Sequence, residues 1–202
     1  MDLHTTISEL CQSVSQYFCI RTAQNIIIGA GGIEYPGWVS TTKEQLDITK
    51  RDHFLRYWKE NSRTAFLAEH VWEHLEPLDA ARANSLCFAF LRPNGRLRIA
   101  VPDGLHPDPA YIDSVRPGGT GEGAEDHKVL YTYQTLGKQL NHVGFQVDLL
   151  EYWDEHGLFH IKEWLSKDGH IRRSRNHDPR NREGGLVYTS LIIDAIKPKE
   201  QT

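Results

Sequence analysis

The chain has 202 residues, 39% of them hydrophobic, and a formal net charge of −4. That is enough length and apolar content for one large domain with its own core. The acidic balance excludes a surface given over as a whole to nucleic acid, and no apolar run reaches the length of a membrane span.

The opening stretch "MDLHTTISEL" lacks the basic segment and long apolar run of a signal peptide, so a cytoplasmic location is expected. Cys11, Cys19 and Cys87 form no Cys-x-x-Cys pair. They read as free thiols in a reducing compartment, each a small buried hydrophobe. Residues 6–18 predict a helix: Thr6 and Glu9 stand at capping-box spacing, and Ile7, Leu10, Val14 and Phe18 recur on one face. The organisation expected is one domain, with an N-terminal helical segment at 1–24, a core at 25–197 and a loose tail at 198–202.

"NIIIGAGG", from Asn25, reads as a strand buried on both faces that runs into a glycine turn. "GWVSTT", "LDIT" and "TAFLA" are short strand candidates. Residues 77–91 predict a helix with Ala80, Ala83, Cys87 and Phe90 on one face. Pro93-Asn94-Gly95 predicts a turn, and "RLRIAVP" a strand. Residues 103–123, rich in Gly and Pro, predict a long loop of the functional or disordered kind. A helix is expected from about His127 until Gly144 stops it. "FQVDLLEYW" and "LVYTSLIIDAI" predict strands on either side of a polar, arginine-rich excursion at 154–185.

Strands alternating with helices give an α/β fold with a mostly parallel, doubly wound sheet, its last strand antiparallel. In such sheets ligands sit beyond the C-terminal strand ends, at the switch point. That rule selects 29–32, Thr42, Asp47, 68–70 and the loop after Pro102.

His70-Val71-Trp72-Glu73-His74 also matches the H-x-x-E-H zinc-hydrolase pattern, with Glu151 as a distant third ligand. Because "TAFLA" reads as a strand ending at its edge, the motif straddles a strand end and a helix start. No metal is therefore expected, and the zinc hydrolase stays an alternative.

"IIIGAG", "GWVSTT", "HVWEHL" and "LRPNGRLRIAVPD" occur in the same order, at compatible spacing, as "LNLGCG", "GWVNLD", "HVLEHL" and "LKPGGRLRIAVPD". Over residues 25–197 the chain resembles a bacterial branch of the class I S-adenosylmethionine-dependent methyltransferases. The resemblance implies a Rossmann-like sheet of seven strands and S-adenosylmethionine as cofactor. It implies that Gly29, Ala30 and Gly31 pass under the methionine part of the cofactor and that Asp47 lies near the adenine. Ala68, Glu69 and His70 would then border the reacting methyl group. The polar or acidic residue usual inside the first motif is Ile27 here, and the ribose-binding acid usual at the end of the second strand is Thr42, whose hydroxyl makes a weaker bond. Those departures motivate a second alternative, a methyltransferase-fold binding protein with weakened cofactor binding.

Methyl transfer from a sulfonium mainly needs an aligned acceptor and, for oxygen or nitrogen, a base. His106 is the first candidate base, since imidazole titrates near neutrality. Asp103 and His70 stand beside it as catalytic candidates. Tyr111, His127, Arg173 and Arg175 are the expected acceptor contacts, between the loop at 103–123 and the arginines at 172–182. The arginines suit an anionic group on the acceptor, and the resemblance implies a small-molecule or saccharide-linked one. No nucleic acid is expected there, because no aromatic series interleaves them.

Overall fold

The computed structural model describes residues 14–30, 32–182 and 185–199. The predicted helix at 6–18 lies partly outside the described residues, with Cys11. Residues 14–22 are helical and are designated α1.

The sheet has seven strands: β1 (Asn25–Ile28), β2 (Val39–Ser40), β3 (Arg63–Glu69), β4 (Leu91–Val101), β5 (Gln146–Trp153), β6 (Phe159–Ile161) and β7 (Leu191–Ile196), in the order β2-β1-β3-β4-β7-β5-β6. β1 pairs parallel with β2 and β3, and β3 with β4. β7 runs antiparallel between β4 and β5, as a polar excursion in place of a crossover helix predicts, and β6 forms a hairpin with β5. The α/β class and the antiparallel last strand agree with the sequence reading. No helix among the described residues is long and apolar enough to cross a membrane.

Several local expectations change. "LDIT" is not a strand: Asp47 Oδ1 accepts the Thr49 N–H and hydroxyl at 3.0 and 2.7 Å, and this local bonding favours a turn. It leads into α2 (Arg51–Tyr57). The Pro93-Asn94-Gly95 turn lies inside β4 as a bulge, since the register jumps from Arg63↔Leu91 to Ala65↔Arg96. The 103–123 loop contains a short helix, α4 (Pro109–Val115), capped by Asp108, which accepts the Ala110 N–H. The helix expected from His127 begins only at α5 (Tyr133–Val143), where Thr132 and Thr135 close a capping box. The N–H groups of Lys128 and Val129 donate instead to the Glu73 carbonyl. Gly144 ends α5 in the left-handed region, as expected. Cys87 is buried on α3 (Pro77–Phe90), but Cys19 is exposed on α1, because that helix turns only its Ile20 side inward.

The two faces of the sheet are covered differently. On the first, Ile26, Ile28, Phe66, Ala68, Ile99 and Ile193 pack against α1, α2, α3 and α5. On the second, Ile27, Leu67, Ala100, Leu150 and Ile192 meet Trp38, Trp164 and Ile171, which lie on irregular chain. That chain is pinned by charges buried in the sheet. Arg98 Nε and Nη2 donate to the two Asp194 oxygens at 2.7 and 2.8 Å, while Nη1 donates to the Gly169 carbonyl at 2.5 Å. The guanidinium lies 4.8 Å from the Trp164 ring centre. Glu151 accepts from Trp164 Nε1 at 3.0 Å and from the Arg175 N–H at 2.8 Å. Glu69 accepts from the N–H groups of Arg172 and Arg173 at 3.2 and 2.8 Å.

Replacing Arg98 by Met should cost about 3 kcal/mol, because Asp194 is left buried with only Arg96 as a salt-bridge partner. Arg98→Met with Asp194→Leu should recover most of that loss. Urea unfolding of the three proteins tests this. A single variant as stable as the parent would show that the pair does not hold the second face.

Candidate functional site

The site begins where β1 ends. Gly29 has φ +62°, and a Cβ there would lie 2.9 Å from Val71 Cγ2, so both conformation and packing require glycine. The Ala30 N–H donates to the Thr41 carbonyl at 3.0 Å, and the Thr41 hydroxyl donates to the Ile27 carbonyl at 2.9 Å. These bonds tie the glycine turn to the end of β2. Gly31 lies outside the described residues.

β3 ends next to it. His70 has φ +56°, uncommon for a residue with a side chain, and its N–H donates to the Ala100 carbonyl at 2.8 Å. Nδ1 of His70 lies 2.8 Å from Glu73 Oε1, and Nε2 lies 3.0 Å from Ser190 Oγ. The imidazole thus bridges a buried carboxylate and a buried hydroxyl.

Between these two strand ends is a cavity of about 490 Å³. Ile28, Leu46, Ile48, Val71 and Leu75 give it an apolar wall. Asp47, Glu76, Asp79 and Asp126 stand at its rim with Lys43, and three of these carboxylates are paired: Asp47 with Lys50, Asp79 with Arg82 and Asp126 with Lys128. The chain leaves β1 for β2 on one side, and β3 pairs on the other, so the cavity sits at the topological switch point of the sheet. Burial raises the Asp47 pKa, but the bonds from Thr49 and the Lys50 charge outweigh that and hold it below the ordinary value.

Of the cofactor residues expected from sequence, Gly29, Asp47 and His70 line this cavity. Ala30 is buried behind the turn. Thr42, Ala68 and Glu69 are not brought to it. The Thr42 N–H donates to Gln45 Oε1 at 2.8 Å and heads a turn. Ala68 packs into the first-face core. Glu69 faces the other way, onto the backbone of 172–173. Val71, Leu75, Lys43 and Asp79 line the cavity without having been singled out. Val71 and Leu75 lie inside "HVWEHL", so the motif itself was the signal.

Of the three expected catalytic residues, His70 lines the cavity, whereas Asp103 and His106 do not. Asp103 is fully buried and accepts the N–H groups of Leu105 and Trp153 at 3.0 and 2.8 Å, which ties the end of β4 to the end of β5. His106 is stacked 4.0 Å from Tyr111, and its Nδ1 accepts the Asp108 N–H at 3.2 Å. Burial lowers its pKa, against the Asp108 charge. It opens on a separate depression with Pro107, Pro109 and Ile112, because α4 turns the loop away. The Tyr111 hydroxyl accepts the Asp103 N–H at 3.1 Å. The Arg173 backbone bonds to Glu69 and Ser190, and Arg175 lines another depression with Phe159 and Asn181.

His127 is brought close. Its ring lies 4.8 Å from that of His74, and its Nδ1 lies 2.7 Å from the Val115 carbonyl. The H-x-x-E-H helix is not formed: Trp72–His74 is a single 3-10 turn and His70 lies outside it with positive φ. Glu151 is not near, being bonded to Trp164, Arg175 and Thr189 on the second face. Glu73, His74 and His127 instead place one ligand-type atom each within 4.8 Å of the others.

No protein-family model matches the chain, and no curated protein matches it. Solved structures do. One is in the complex between the Haloferax volcanii Trm112 methyltransferase activator and the putative methyltransferase. It has a TM-score of 0.51 and 7% identity, over 94% of this chain and 90% of that one. Another is an S-adenosylmethionine-dependent methyltransferase from Mesorhizobium loti, with a TM-score of 0.50 and 12% identity, over 86% and 90% of the two chains. At these identities the likeness establishes the fold: this chain has the Rossmann-like architecture of those proteins.

The buried Asp103 carboxyl supplies a pH prediction. Burial raises its pKa to about 6, against the two backbone bonds that lower it. A raised carboxyl pKa stabilises the fold below the unfolded value of 3.8, and that stability is lost as pH rises through about 6. The loss is on the order of 3 kcal/mol. Carbon NMR of the aspartate carboxyls should show one titrating near 6, and Asp103→Asn should remove it. A parent protein with every aspartate titrating below 5 would overturn the assignment.

Proposed function

We propose that this protein is an S-adenosylmethionine-dependent methyltransferase acting on a small-molecule or, in the reading from resemblance, saccharide-linked acceptor. The observation that carries the proposal is the cavity at the switch point, lined by Gly29 from β1 and by His70 and Val71 after β3. Its volume of about 490 Å³ is within the range for small-molecule and cofactor sites.

The lining fits the group chemically. Ile28, Leu46, Ile48 and Leu75 suit a purine ring, and Lys43 suits a carboxylate. Asp47, Glu76, Asp79 and Asp126 offer carboxylates at the rim toward a sulfonium cation, three of them already paired with Lys50, Arg82 and Lys128. When bound, the cofactor would supply an activated methyl group with its own leaving group. The chain's part is to orient and desolvate. Of the histidines considered as bases, His70 is the one at the cavity, its ring backed by Glu73. His106 keeps a packing role in this reading.

Calorimetric titration with S-adenosylmethionine and S-adenosylhomocysteine tests the proposal. The parent should bind both. Leu75→Trp, which fills the apolar wall, should weaken binding at least tenfold while the protein melts cooperatively. Failure of the folded parent to bind either compound would end the cofactor reading.

A further inference from the structure

The Glu73 carboxylate is buried to 1% exposure in the 3-10 turn, and its Oε2 has no hydrogen-bond partner among the described residues. Its Oε1 meets only His70 Nδ1, outside regular hydrogen-bond geometry. The Tyr131 hydroxyl, which feels the Glu73 charge, is also buried without a partner. A buried carboxylate in this state calls for a cation.

Two imidazoles stand ready beside it. Neutral His127 can bond the Val115 carbonyl only as a donor from Nδ1, at 2.7 Å, so the lone pair is left on Nε2. Nδ1 of His74 lies 3.4 Å from Asp126 Oδ2, which likewise favours a proton on Nδ1 and a free Nε2. Orientation of one ring nitrogen by a carbonyl or carboxylate is the usual support of a metal-ligating histidine.

We propose that Glu73, His74 and His127 form a site for a first-row divalent transition ion of the zinc type, at the rim of the cavity. Two imidazoles and a carboxylate suit borderline ions rather than calcium or magnesium. The ligand atoms now lie within 4.8 Å of one another, and bonds of about 2.1 Å to one ion require them to draw together by roughly 1 Å. Rotation of the partly exposed His74 ring supplies part of that movement. Three protein ligands leave a coordination position open, and His74 and Asp126 both line the cavity. Resting on the methyltransferase reading, the site selects an acceptor with an oxygen or nitrogen able to coordinate metal.

The test uses the full chain, freed of metal by chelation and titrated with Zn²⁺ by calorimetry and with Co²⁺ by visible absorption. One saturable equivalent is expected, with the intense visible bands of a four-coordinate Co²⁺ site. His74→Gln and His127→Gln should each weaken Zn²⁺ binding at least tenfold, whereas His142→Gln, at the exposed end of α5, should not. His74 is partly exposed, so its variant should fold even if His127→Gln does not. No saturable binding, or equal affinity in the parent and His74→Gln, would overturn the site. Titration of the metal-free parent with S-adenosylmethionine separates this outcome from failure of the cofactor reading.

Discussion

Among the described residues the second face of the sheet is covered by largely irregular chain rather than α-helices, and the charges buried in it make that possible. Irregular chain brings unpaired N–H and carbonyl groups into an interior where each needs a partner. Arg98 supplies donors to the Gly169 and Leu165 carbonyls while bound to Asp194. Glu69 and Glu151 supply acceptors to the N–H groups of residues 172, 173 and 175. A network of this kind specifies one arrangement because any missing partner leaves a buried charge exposed to a low dielectric.

This commitment shapes the site. The arginine-rich segment looks like an anion clamp by composition, yet its backbone is anchored to Glu69 and Glu151. The cavity opens on the other side, where Ile28, Leu46, Ile48, Val71 and Leu75 belong to the helix-covered core. His70 stands at the boundary: its kinked backbone leaves the sheet there, and its ring spans Glu73 and Ser190. The strained conformation is held by the bond from its N–H to the Ala100 carbonyl.

Glu73 joins the parts of the site. Its carbonyl holds the N–H groups of Lys128 and Val129, which keeps 127–132 out of helix and sets His127 beside His74. Its side chain faces His70 on one oxygen and lacks a partner on the other. One residue therefore links the backbone path of a distant segment to the charge at the rim of the cavity.

The sequence by itself determined the sheet and its glycine turn. "NIIIGAGG" reads as a strand buried on both faces and a turn with positive φ, and periodicity located α3 and β5 closely, whereas β4 begins before "RLRIAVP" and β7 is only the second half of "LVYTSLIIDAI". Motif order was enough to bring Gly29, Asp47 and His70 to one place, since all lie at strand ends or just after them. Tertiary structure alone decided which polar side chains remain free to act. His106 and Asp103 carry the right chemistry but lie away from the cavity: Asp103 is bonded to Leu105 and Trp153, and His106 is stacked on Tyr111 with its Nε2 unpartnered among the described residues. Glu69 is taken by an N–H group 104 residues away, and His127 is brought to His74 by a carbonyl on another segment. Local pattern reports which residue types are present. Whether a donor or acceptor is already satisfied depends on partners that only the folded chain brings within 3 Å or so of it.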